Sequence, residues 1–174
     1  MNLKRTGNGM IALACIIGLG LLTIFFGEVE EHRRNPNQEP DSRIGANMIE
    51  VALDQNRQGH YVVTGAINGI PAEFLLDTGA TDVVIPEAIA NQLGLARGRA
   101  GRAMTANGYV TVYQTRIDHL AIGEIVLHDV RASINPAMPP PAILLGMSAL
   151  TQVEFVQQGD SLTLRQFGRR DSNG

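Results

Sequence analysis

The chain has 174 residues, 44% hydrophobic, 18% charged and 5% aromatic, with a formal net charge of −3. That length accommodates one compact domain and a smaller segment, but not two full-sized lobes. The mildly acidic balance gives no electrostatic reason for a nucleic-acid partner, and the single cysteine, Cys15, excludes an intrachain disulfide framework or a multi-cysteine zinc site.

Residues 1–9 are a short N-terminal tail carrying Lys4 and Arg5. Residues 10–26 (MIALACIIGLGLLTIFF) follow without a charge; as a helix they would span about 25 Å, near the lower limit for crossing a bilayer core. Phe25-Phe26-Gly27-Glu28 offers no small-residue cleavage pattern, so the run reads as a retained transmembrane anchor rather than a removed signal peptide. Lys4 and Arg5 are balanced by Arg33 and Arg34, which leaves only a slight bias toward an outward-facing C-terminal part. Residues 27–46 are polar and interrupted by Pro36 and Pro40, and read as a flexible tether.

Residues 47–167 carry short β-rich runs separated by turn residues, and residues 168–174 read as a flexible tail. His60–Ile67 and Pro71–Leu76 flank Asn68-Gly69, a pair that tolerates the positive φ angles of a type I′ hairpin turn. The same signal recurs at Asn107-Gly108, between Ala103–Ala106 and Tyr109–Ile117. A further turn at Gly123-Glu124 separates Arg116–Ile122 from Ile125–Ile134. Two short helices are expected, over Pro86–Leu93 with Gly94 just beyond its end, and over Met147–Leu150 after Gly146. This spacing predicts a mainly β, small closed fold with one or two short helices.

The chemically informative stretch is Phe74-Leu75-Leu76-Asp77-Thr78-Gly79-Ala80-Thr81. A carboxylate at the end of a buried strand loses hydration unless donors meet it. Backbone N–H groups near Gly79 and the hydroxyls of Thr78 and Thr81 are the available donors, and Gly79 allows a close backbone approach. The bland reading is a strand-ending turn, since all three residues of Asp-Thr-Gly favour turns. Val83-Val84-Ile85 on the far side argues against it, because the aspartate then lies between two buried strands.

Here the sequence resembles the retropepsin-like aspartic proteases, and most closely their membrane-anchored bacterial group. The matching residues are Gly59–Val63, Ile67-Asn68-Gly69, Phe74–Thr81, Thr105-Ala106-Asn107-Gly108, Ile122-Gly123 and Leu144-Leu145-Gly146-Met147-Ser148. The resemblance implies a closed β-barrel of the retropepsin type behind an N-terminal transmembrane helix. It implies that Asp77 is catalytic, within an active-site loop completed by Thr78, Gly79, Ala80 and Thr81. Thr78 would bond across a dimer, Ala106, Asn107 and Gly108 would form a flap over substrate, and Leu144, Leu145 and Gly146 would support the loop. It further implies an extended peptide or protein substrate, no cofactor or metal, and an inner-membrane location with the protease domain on the periplasmic side.

Aspartic protease chemistry needs two carboxylates around one water, yet the chain holds a single Asp-Thr-Gly. The catalytic unit would therefore be a homodimer, with one Asp77 from each copy on the two-fold axis. Ala80 lacks the hydroxyl with which a serine would favour the ionised pair, so a mildly acidic optimum is expected. The alternative is a non-catalytic module of the same fold, acting in dimerisation or peptide binding at the cell envelope. A phosphate loop of an actin-like ATPase would need a far longer chain. His32, His60, His119 and His128 show no zinc-ligand spacing, and Arg97, Arg99 and Arg102 read as a solvated basic loop.

Overall fold

A computed structural model of the chain describes residues 3–105 and 108–168, with the backbone alone for residues 3–14. It separates into two units, Met1–Arg34 and Asn35–Gly174.

The first unit is helix α1 (Leu3–Arg34). It continues past the apolar run because Glu28–Arg34 are good helix formers, with Arg34 and Glu31 paired at 3.9 Å and three basic residues in the last turn. Pro36 then forces the preceding residue out of the helix. Among the described residues no helix is long and apolar enough to cross a membrane. The side chains of Met10–Ala14, which begin the expected anchor, lie outside the described set.

Residues 27–46 are not the free tether their composition suggests. Residues 27–34 belong to α1, and Asn35 and Asn37 are buried in the second unit. The Asn37 side chain donates to the carbonyls of Asp54 (2.9 Å) and Val62 (2.7 Å) and accepts from the Asp54 N–H (2.7 Å). Its backbone bridges to Val63, and its carbonyl accepts from the Thr64 N–H. A polar residue buried this way serves as a piece of backbone, which composition alone cannot reveal.

The second unit contains β1 (Asp41–Ile44), β2 (Met48–Asp54), β3 (Val62–Ile67), β4 (Ile70–Leu76), β5 (Val83–Pro86), α2 (Glu87–Gln92) and β6 (Ala100–Thr105). There follow β7 (Gly108–Ile122), β8 (Ile125–Asn135), β9 (Ile143–Leu145), α3 (Met147–Leu150), β10 (Glu154–Gln158) and β11 (Ser161–Phe167). One sheet has four strands in the order β1-β2-β11-β10; the other has seven, in the order β3-β4-β9-β5-β8-β7-β6. The larger sheet returns on itself where Ala66 and Ile67 of β3 pair with Ala121 and Leu120 of β7. Gly168 extends the smaller sheet by donating to the Asn47 carbonyl (2.9 Å), while residues 169–174 lie outside the described set.

Both sheets feed one core. Val51, Leu53, Leu162 and Leu164 from the smaller meet Val63, Phe74, Ile85, Ile117, Ile134 and Ile143 from the larger. The alternation of buried positions in β2 and β11 gives each one apolar face, and the burial of Phe74 alone stabilises by about 2–3 kcal/mol. Asn68 (φ 50°) and Gly69 (φ 83°) make the expected hairpin turn between β3 and β4, and the Asn68 side chain accepts from the His119 N–H. Pro86 ends β5 and caps α2 rather than opening the helix, and Gly94 (φ 66°) terminates it.

Candidate active site

Asp77 follows the last residue of β4, where the chain runs parallel to β9 with Leu76 opposite Leu145. The Leu76 N–H donates to the Tyr61 carbonyl (3.0 Å), and the Asp77 N–H donates to the Leu145 carbonyl (3.2 Å). The backbone of Asp77 is thereby fixed from two sides while its side chain is half-buried. Burial pushes the hydroxyl of neighbouring Tyr61 up from its ordinary range, with Asp160 adding to the effect.

The loop after Asp77 turns back at once. The Gly79 N–H donates to Asp77 Oδ1 (2.9 Å), and the Ala80 N–H donates to the Asp77 carbonyl (3.2 Å). Thr78 and Thr81 are exposed, and among the described residues neither hydroxyl donates to the carboxylate. The donor the sequence offered at Gly79 is used; the two hydroxyls are not. The result is a carboxylate with one oxygen oriented by a peptide N–H.

The segment after β9 closes over this loop. The Met147 N–H donates to the Ala80 carbonyl (2.8 Å), and the Ser148 N–H donates to the Thr81 carbonyl (2.9 Å). Ser148 also accepts from the Val83 N–H (3.0 Å) and donates to the Arg131 carbonyl (2.7 Å). Gly146 has no room for a side chain: a Cβ there would stand 2.2 Å from the Asp82 carbonyl oxygen and 2.7 Å from that of Ala80. Leu145 is buried and Leu144 half-buried, the latter paired with Val84 of β5.

A cleft of about 700 Å³ opens over the carboxylate. Asp77, Gly79, Ala80, Thr81, Val84 and Leu144 form one side, and the β6–β7 hairpin, from Gly101 to Thr105 with Val112, forms the other. Ala106 and Asn107, expected at the hairpin tip, lie outside the described residues. Gly108 (φ 102°) stands one residue further along than expected, already in β7 and paired with Thr105. Met104 and Tyr109 remain 75% and 65% exposed on this hairpin, and the Arg102 guanidinium lies 4.8 Å from the Tyr109 ring centroid. Sequence reasoning passed over Ser133, Asn135 and Met138, which also line the cleft. Asn135-Pro136 is a turn signal after β8, and the Asn135 side chain does accept from the Ala137 N–H (3.0 Å).

A family model described as “gag-polyprotein putative aspartyl protease” matches residues 63–152, more than half of the chain and all of the segment that builds this loop and its support. The chain belongs to the retropepsin-like aspartic proteases. Among solved structures, this retropepsin-like chain is similar to a retropepsin-like aspartic protease from Rickettsia conorii, at 25% identity and a TM-score of 0.58, over 74% of this chain and 96% of that one. It is also similar to the EIAV protease complexed with the inhibitor HBY-793, at 25% identity and a TM-score of 0.45, over 55% of this chain and 89% of that one. A curated relative, “Uncharacterized protein in cobV 5'region” from Sinorhizobium sp, is 30% identical over 120 residues, 67% of this chain. The chain spans about half of that relative's length, 52%.

Proposed function

We propose that this protein is an aspartic endopeptidase that acts as a symmetric homodimer, with Asp77 of each copy flanking one water. The reading rests on one observation: a single Asp-Thr-Gly loop holds its carboxylate, oriented by the Gly79 N–H, at the floor of an open cleft facing a hairpin. In the mechanism, one ionised Asp77 takes a proton from the water as its oxygen bonds to the scissile carbonyl carbon. The other, protonated, donates a hydrogen bond to the carbonyl oxygen as charge develops there. Collapse of the tetrahedral intermediate breaks the C–N bond, and the leaving nitrogen takes up a proton from the pair. Thr78, exposed on the loop, is suited to bond to the partner copy, and an extended peptide is suited to lie between hairpin and floor.

The test is cleavage of an unbiased peptide library by the full chain and by Asp77→Asn. Asparagine keeps an oxygen to accept from the Gly79 N–H but cannot serve as base, so the fold persists and the rate drops at least about 10²–10⁴-fold. Equal cleavage by both proteins contradicts the assignment.

Attachment of α1 to the inner membrane, with the protease domain on the periplasmic side, is part of the same proposal. Its support is the row of exposed apolar side chains from Ile16 to Phe26. Release of the protein from membranes by high salt alone would count against it.

A further inference from the structure

A second hollow, of about 520 Å³, adjoins the cleft and shares Asp82 and Gln114 with it. Arg97, Arg99, Arg116 and Arg131 line it together with Asp82. Three of the four face a carboxylate, Glu87, Asp129 or Asp82, so the local excess is one positive charge, in a chain of net charge −3. Arg97 and Arg99 share one irregular loop, whereas Arg116 on β7 and Arg131 on β8 are distant in sequence, so a basic loop read from the sequence alone missed two of the four.

Three of these arginines have partners. Arg97 pairs with Glu87 and stacks 4.6 Å from the Tyr113 ring centroid. Arg116 pairs with Asp129 at 2.5 Å, and Arg131 stands 3.5 Å from Asp82 Oδ1, an oxygen that accepts no hydrogen bond among the described residues. Arg99 has no carboxylate partner among the described residues. The Arg116 and Asp129 side chains are 54% and 72% exposed; exposed pairs of this kind contribute little and exchange readily for a better acidic ligand.

Backbone hydrogen bonds hold the loop that carries Arg97 and Arg99. The Gly98 N–H donates to the Gln114 carbonyl (2.8 Å), and the Gln114 N–H donates to the Arg99 carbonyl (2.9 Å). A Cβ on Gly98 would stand 2.7 Å from the Gln114 oxygen, so glycine is what lets Arg97 and Arg99 lie against β7. The chain then runs directly into β6, the last strand of its sheet, whose outer edge carries no partner strand among the described residues. An extended polypeptide can add along such an edge.

We propose that this hollow receives an acidic stretch of the polypeptide substrate, flanking the bond presented to Asp77. The proposal rests on the protease reading above and deepens it by naming a substrate class. Arginines on separate elements, Arg99 on the loop before β6 and Arg116 on β7, suit carboxylates spaced along a chain better than one small anion. Continuity with the cleft through Asp82 and Gln114 favours a chain that occupies both.

The experiment uses the full chain carrying Asp77→Asn, so that binding is read without turnover. The probe is a fluorescein-labelled peptide with an apolar centre and a run of glutamates on one side, compared with its all-glutamine counterpart. At low salt the glutamate peptide binds about tenfold more tightly, and the difference shrinks as salt rises. Arg99→Glu abolishes the difference and Arg99→Lys retains it; because Arg99 is exposed, both variants keep the wild-type circular dichroism. Equal binding of the two peptides overturns the proposal, as does a preference that survives Arg99→Glu. Displacement by millimolar inorganic phosphate, or tighter binding of a single-stranded oligonucleotide than of the glutamate peptide, overturns it too. The wild-type chain separates the two readings. Cleavage without glutamate preference sinks only the acidic-substrate proposal; glutamate-dependent binding with no cleavage of any peptide sinks the protease reading and reduces the hollow to a ligand site.

Discussion

Asn37 does the work of a strand residue with its side chain. Its amide nitrogen satisfies the carbonyls of Asp54 and Val62, its oxygen satisfies the Asp54 N–H, and so it joins the end of β2 to the start of β3. Asn37→Ala leaves all three groups buried or half-buried without a partner and destabilises the domain by about 3 kcal/mol, to be read by urea unfolding. Loss of less than about 0.5 kcal/mol would mean that water replaces the amide. Ala80, half-buried at the cleft, is the residue that sets the expected pH range under the proposed mechanism. Ala80→Ser adds a donor that favours the ionised carboxylate pair. The acidic limb of the rate profile should then move to lower pH, by up to about one unit. A shift in the opposite direction contradicts the role given to position 80.

At the scale of elements, the segment from β9 into α3 decides where the Asp77 loop lies. It holds the loop through the Leu145 carbonyl and the Met147 and Ser148 amides, and the loop passes so close that Gly146 has no space for a methyl group. Gly146→Ala should destabilise by about 3 kcal/mol and reduce activity in whatever protein remains folded, because the nearest atoms, in Asp82 and Ala80, belong to the backbone and cannot swing away. Unchanged stability and activity would show that the loop does not depend on this contact. Much of this layout is legible in the sequence. Asn68-Gly69 announces its hairpin, Gly94 ends α2, and Phe74-Leu75-Leu76-Asp77 marks a buried strand delivering a carboxylate, because each signal is local and chemical. What is not legible depends on distant partners. Asn35 and Asn37 look like linker until Thr64, Asp54 and Val62 arrive beside them. Thr78 and Thr81 look like donors to Asp77 until the loop geometry leaves that task to the Gly79 amide.

For the whole molecule, the chain carries one Asp-Thr-Gly, and the proposed chemistry requires two carboxylates around one water. A single copy would then hold half of a catalytic centre, and assembly would be part of the mechanism. The mixing of wild type with Asp77→Asn tests this directly, at fixed total concentration, with the two chains allowed to exchange partners to equilibrium. If both Asp77 carboxylates are needed, mixed dimers are inactive, and an equal mixture retains about a quarter of the wild-type rate. Retention of about half the rate, in proportion to the wild-type fraction, would mean that each chain works alone and would contradict the account.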